Sequence, residues 1–208
     1  PQEGYSIIDD ELYFQDLNLM EMIETYGTPL RFTYLPMISK KIQQAKILFQ
    51  TAILKNNYRG DYKYCYCTKS SHFRHIVEEA LKNGIHLETS SAFDMPMIEA
   101  LEKKGAVNKD ITVICNGFKT YQYKQYIIDM LHDGYKNIIP VLDNKEEFNL
   151  YDDEIEMDTP CNLGIRIAAE EQPDSQFYTS RLGVRMEDVI DFYNNKIVEN
   201  PNFKVKLL

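Results

Sequence analysis

The chain has little of what several protein classes require. Only four of its 208 residues are cysteine (Cys65, Cys67, Cys115 and Cys161). Cys65 and Cys67 are two apart, with no second pair and no nearby histidine motif, so the spacing predicts no metal site. Three of the four fall in predicted buried strands, where a free thiol behaves as a small hydrophobe, and this favours reduced thiols and a cytoplasmic setting. No apolar run approaches the length of a membrane span, and no signal peptide opens the chain. No basic block occurs, and 23 Lys and Arg against 32 Asp and Glu leave a net charge of −9, which argues against a general nucleic-acid binder. The nine glycines are scattered, so no glycine-rich phosphate loop is present.

What remains is an ordinary globular composition, 44% hydrophobic and 26% charged. Strand and helix patterns alternate along it. Candidate strands are 31–35, 62–68, 85–89, 111–116, 137–143, 162–168 and 204–208. The middle five recur about every 25 residues, the spacing of βα units. Helical stripes fill the gaps. Phe73, Ile76, Val77, Ala80 and Leu81 line one face of 72–83, and Ile38, Ile42, Ala45, Phe49 and Ile53 line one face of 38–56. In 120–133, Thr120 caps, Tyr123, Ile127, Met130 and Leu131 face inward, and Gly134 ends the helix. Residues 185–197 place Val189, Ile190 and Tyr193 inward, and the polar stretch 169–180 suggests a surface loop or lid.

Regular βα alternation gives an open doubly wound sheet or a closed barrel. A strand between two helix layers is apolar on both faces. Here Leu163, Ile165 and Ile167 oppose Asn162, Gly164, Arg166 and Ala168, and Ile85 and Leu87 oppose His86 and Glu88. One apolar and one polar face predict a TIM-type (βα)8 barrel with helices outside and a functional mouth inside. Seven strands are counted, and the last, ending at Leu208, has nothing behind it. The expectation is therefore one barrel domain over 1–208, with a short extension at 1–18, cut before its last strand.

Four polar side chains converge by parity at the C-terminal strand ends: Lys69, Glu88, Asn116 and Arg166. Lys69 ends the strand YCYCTK, and lysine forms Schiff bases when desolvation makes its amine nucleophilic. Each residue has a plainer alternative: a solvated strand-end lysine, an internal Glu88–Arg166 ion pair, and a turn asparagine before Gly117. Together at one barrel end they favour a site.

Six segments in order and spacing carry a resemblance: YGTPL (26–30), YCYCTKSSHF (64–73), HLETSSAFD (86–94), VICNGFK (113–119), LGIRIA (163–168) and TSRLG (179–183). They resemble the alanine-racemase-like barrel of the pyridoxal-phosphate-dependent decarboxylases, nearest the biosynthetic arginine decarboxylases. The resemblance implies that Lys69 holds pyridoxal 5'-phosphate covalently and that Glu88, Ser91, Asp94, Asn116 and Arg166 lie about the cofactor. Two departures stand out. The usual Lys-x-Asn reads Lys69-Ser70-Ser71, and the usual Ser-Lys-Phe-Gly reads Ser180-Arg181-Leu182-Gly183.

The implied activity is decarboxylation of a basic amino acid, foremost arginine to agmatine in polyamine biosynthesis, by a homodimer or higher homo-oligomer when full length. Diaminopimelate, ornithine, lysine and carboxynorspermidine are alternative substrates, and a non-catalytic cofactor carrier is an alternative role. The family's ring-stacking histidine, phosphate loop and C-terminal β-domain are expected beyond Leu208, so the chain alone is expected to be inactive.

Overall fold

The structure, a computed structural model, describes residues 3–152, 154–155, 160–168 and 182–208. The stretch 169–180 read above as a loop or lid lies outside the described residues. The chain divides into two compact units, Pro1–Tyr34 and Leu35–Leu208.

The first unit holds more structure than the sequence suggested. Strands β1 (Tyr5–Ile8), β2 (Glu11–Phe14) and β3 (Leu17–Asn18) pair antiparallel, and helix α1 (Leu19–Tyr26) follows. Asp9 and Asp10 turn the first hairpin at φ 51° and 64°, the left-handed geometry that a two-residue hairpin demands. Asn18 Oδ1 caps α1, accepting the amides of Met20 (2.8 Å) and Glu21 (3.2 Å). Phe14 is the buried centre, with the rings of Tyr5, Phe32 and Tyr34 around it at 4.9, 5.4 and 5.3 Å. This corrects the expected strand at 31–35. Residues 30–34 form no strand, because Phe32 and Tyr34 are drawn onto Phe14 and Leu35 already begins the next helix.

In the second unit, six strands form one parallel sheet: β4 (Cys65–Cys67), β5 (His86–Thr89), β6 (Val113–Cys115), β7 (Ile138–Leu142), β8 (Cys161–Ile165) and β9 (Phe203–Leu207). They pair in strict sequence order from β4 to β9. A doubly wound sheet reverses its strand order at a switch point, and no reversal occurs here. This is the winding of the (βα) barrels, as the strand faces predicted.

Register aligns the faces. Leu87, Val113, Ile138, Leu142, Leu163, Ile165 and Phe203 join the buried cluster that the helices cover. The opposite face carries Cys65, Cys67, His86, Glu88, Asn162 and Gly164, with the apolar Ile114, Ile139 and Val141 between them on β6 and β7. A β-carbon on Gly164 would lie 2.8 Å from Val141 Cγ2, so glycine lets that face pack closely.

Helices α2 (Leu35–Lys55), α3 (Arg74–Leu81), α4 (Asp94–Lys103), α5 (Tyr121–His132), α6 (Asn149–Asp152) and α7 (Met186–Phe192) fill the connections. In α5 the side chain of Thr120 accepts the Tyr123 amide at 3.2 Å, and Tyr123, Ile127, Met130 and Leu131 are buried as the stripe predicted. Other stripes differ in detail. In α2, Ile42 is buried, while Phe49 stays half exposed and stacks on Tyr62 at 4.1 Å. Phe73 precedes α3 in extended conformation, so it misses the helical stripe and is 62% exposed. A π-helical turn, Tyr193–Ile197, follows α7 and adds a residue to the repeat. The buried set there becomes Val189, Phe192 and Ile197, and Ile190 and Tyr193 turn outward.

The core also holds thiols. Burial pushes the Cys115 thiol up to about 11 and the Cys161 thiol up to about 12. Both folded-state values exceed the unfolded one, so this stabilisation is complete below about pH 9 and is lost as pH rises through the folded values. Chemical denaturation should show stability falling from about pH 9 to 11, by about 1 kcal/mol per pH unit for each thiol. Cys115→Ala should flatten that slope, and an unchanged slope would contradict the assignment.

Candidate active site

Lys69 lies just past β4, in a turn where the Ser70 amide donates to the Cys67 carbonyl at 3.1 Å. Thr68 is buried beneath the turn and Lys69 is exposed. Burial pushes the Cys67 thiol up, and the Lys69 amide and charge pull it down.

Glu88 is the next polar group across that face, since Cys67 is its register partner on β4. Burial first, and then the Glu88 charge, push the Cys65 thiol up. Burial also raises Cys67, with the Glu88 side chain adding to the rise. Asn116 follows β6 and donates from Nδ2 to Glu88 Oε1 at 3.1 Å. Its own Oδ1 accepts the Gly117 amide at 3.0 Å. Gly117 has φ 78°, and a β-carbon there would sit 2.8 Å from the Ser90 carbonyl. Glycine at that position therefore lets the loop after β6 close on the loop after β5 and keeps Asn116 on Glu88.

Ser91 and Asp94 bind each other. Asp94 Oδ2 accepts from the Ser90 amide (3.0 Å), the Ser91 amide (3.2 Å) and the Ser91 hydroxyl (3.2 Å). The carboxylate stands in the first turn of α4, where the helix dipole favours it. The pair fixes the shape of the loop after β5. Arg166 follows β8, and its Nη1 lies 3.3 Å from Asp143 Oδ1, at the end of β7. The structure thus joins Glu88 to Asn116, Ser91 to Asp94, and Arg166 to Asp143. No Glu88–Arg166 ion pair occurs among the described residues, so the internal pair considered from sequence is replaced by Asp143.

Asp143, Glu147 and Lys119 were missed from sequence. The signal for Asp143 was its place as the last residue of the apolar run NIIPVLD, and that for Lys119 its place at the end of VICNGFK, while Glu147, in the 3-10 turn Glu146–Phe148, belongs to no motif. Lys119 is buried, and its ammonium donates to the carbonyls of Gly117 and Val141 (2.6 Å). Glu147 Oε2 is 3.6 Å from it. Glu147 also accepts the amides of Lys119 (3.2 Å) and Asp143 (3.0 Å). Burial holds the Lys119 ammonium below its ordinary value, opposed by the charges of Glu147 and Asp143. With its donors engaged in this way, Lys119 is a brace between the ends of β6 and β7. Among the described residues no group of three or more His, Cys, Asp or Glu side chains is placed to hold a metal ion.

A singly wound parallel sheet with polar residues at its strand ends is the arrangement of the (βα) barrels. Relatives narrow it. No model of a protein family matches the chain. It is similar to a biosynthetic arginine decarboxylase of Alkalilimnicola ehrlichii, 29% identical over 100 residues, which is 47% of this chain and 15% of that protein. It is also similar to arginine decarboxylase 1 of Oryza sativa subsp. japonica, 27% identical over 143 residues, 66% of this chain and 19% of that protein. The fold is shared with the diaminopimelate decarboxylase of M. jannaschii in complex with L-lysine, at TM-score 0.74, 19% identity and coverage of 99% of this chain and 46% of that one. The biosynthetic arginine decarboxylase of Campylobacter jejuni matches at TM-score 0.70 and 18% identity, covering 99% of this chain and 36% of that one. The chain thus spans under a fifth of those two curated relatives and under half of those two solved chains. Its likeness lies among the amino-acid decarboxylases, as the six segments indicated.

Removing the Lys119 charge strands Glu147 in the interior. Lys119→Met should cost about 3–5 kcal/mol in urea unfolding. A loss below about 1 kcal/mol would mean that the brace carries little.

Proposed function

We propose that the chain is the cofactor-binding barrel portion of a pyridoxal-phosphate-dependent decarboxylase of basic amino acids, a lyase. Arginine is the foremost substrate, because the sequence relatives are arginine decarboxylases. The observation that supports the reading most is the placement of Lys69, Glu88, Asn116 and Arg166 at the same ends of β4, β5, β6 and β8. The donor set suits the cofactor. It offers a primary amine for an aldehyde, a carboxylate–amide pair for a polar ring substituent, and a guanidinium for negative charge. Three of the four buried side-chain oxygens without a partner among the described residues, those of Thr68, Ser71 and Asp143, lie in the segments that follow β4 and β7. Unsatisfied polar atoms gathered at one end of a sheet suit a site that a ligand completes.

Lys69 would hold the cofactor through its ε-amine. Glu88, oriented by Asn116, would fix the ring on the polar face. Arg166 would stabilise negative charge beside it, and Ser91 with Asp94 keeps the adjoining loop in shape. Pyridoxal phosphate, when bound, supplies the electron-withdrawing ring that accepts the electron pair left by departing carbon dioxide. The same reading takes a cytoplasmic homo-oligomer as the working form. No helix among the described residues is long and apolar enough to cross a membrane.

Borohydride reduction in the presence of pyridoxal phosphate, followed by peptide mapping, tests the cofactor assignment. Saturable tagging at Lys69, abolished by Lys69→Ala, is expected. Label on other lysines that survives this substitution would contradict it. Carbon dioxide release by the full-length protein from arginine, ornithine, lysine and diaminopimelate then tests the substrate, with arginine expected to be fastest.

A further inference from the structure

Asp143 is placed with more care than an ordinary ion-pair partner needs. It is 3% exposed, and its backbone is held on both sides. Its amide donates to Glu147 Oε2 at 3.0 Å, and its carbonyl accepts the Gly183 amide at 2.7 Å. Gly183 has φ 98°, and a β-carbon there would lie 2.7 Å from the Ala168 nitrogen and 2.9 Å from the Arg166 carbonyl. Only glycine fits that approach. The Arg166 backbone is pinned in the same region, its amide to the Leu142 carbonyl at 3.1 Å and its carbonyl to the Val184 amide at 2.7 Å. Both partners are therefore fixed at the strand ends before their side chains meet.

The side chains meet at one point. Arg166 Nη1 reaches Asp143 Oδ1 at 3.3 Å, while Oδ2 is buried with no partner among the described residues. Guanidinium–carboxylate pairs favour two parallel contacts, and a buried carboxylate oxygen without a donor is costly. The Arg166 side chain, meanwhile, is 40% exposed. A guanidinium carries five N–H donors, and this contact engages Nη1 alone. One end of the Arg166 guanidinium is tethered, and the side chain stays partly open to solvent.

We propose that Asp143 is a positioning residue, a buried tether that aims the guanidinium of Arg166 at an anionic group in the strand-end site while keeping Oδ2 for a second contact when that site is filled. The proposal rests on the cofactor reading above for the identity of the anionic ligand. Asp143 acts through Arg166, and its effect on ligand affinity depends on that arginine being present.

Two readouts on the 208-residue chain test it. The first is the rate at which phenylglyoxal modifies Arg166, followed by peptide mapping without cofactor. Asp143→Asn removes the charge at constant shape and should speed modification several-fold, with the circular dichroism spectrum unchanged. Asp143→Ala should do the same, and an unaltered rate in both variants would overturn the tether. The second is the pyridoxal phosphate concentration that gives half-maximal borohydride tagging of Lys69. Asp143→Asn should raise it about tenfold, the scale of one charge-assisted hydrogen bond. In an Arg166→Gln background the same substitution should add nothing, because the two residues act as one unit. An equal added loss in that background would show that Asp143 acts independently and would overturn the proposal. Failure to tag Lys69 in the parent chain, with Arg166 more reactive in Asp143→Asn, would support the tether and overturn the cofactor reading instead.

Discussion

Side chains alternate across a parallel strand, and the architecture of the second unit follows from that alternation. Burying Leu87, Val113, Ile138, Leu163 and Phe203 under the helices forces Cys67, Glu88 and Gly164 to the other face. A one-residue slip in β5 or β8 would exchange its apolar and polar sets, and the hydrophobic core forbids that. The candidate site is thus a by-product of packing. The polar residues share a face because their apolar neighbours are committed to the other one.

A polar face at a strand end needs bracing, and the braces come from residues that take no part in the proposed chemistry. Lys119 and Glu147 tie the loops after β6 and β7 together through carbonyls, amides and a buried ion pair. Gly117 lets the loop carrying Asn116 close over Ser90, and Gly183 lets the chain return against Arg166. Asp94 folds the loop after β5 onto its own serines. The polar groups at the strand ends are held by buried ones, which is how a site on loops acquires the rigidity of a sheet.

Strand periodicity made the parallel sheet, its order and its two faces legible in the sequence, because period-two patterns such as LGIRIA register burial directly. The βα spacing likewise exposed α3 and α5, whose stripes are regular. What stayed hidden obeys other rules. The hairpin of the first unit is set by two left-handed aspartates and a ring cluster about Phe14. The π-turn after α7 moves Ile197 into the core by one residue of slip. Parity grouped Lys69, Glu88, Asn116 and Arg166 at one end of the strands, but the alternative of a Glu88–Arg166 ion pair gave way to an Arg166–Asp143 pair. Glu88 was the visible acid on a neighbouring polar face, whereas Asp143 ended a run that read as wholly apolar. Partners across strands depend on register, and register is not written in any single segment.

The account turns on whether the Lys69 amine and the Arg166 guanidinium serve one cavity. A crystal structure of the chain grown with pyridoxal phosphate measures this most directly. The account predicts continuous density from Lys69 Nζ to the ligand on the Glu88 face, with Arg166 in contact with the same ligand and still tethered to Asp143. Density on the helix-covered side of the sheet, or a ligand that touches neither Glu88 nor Arg166, would contradict it.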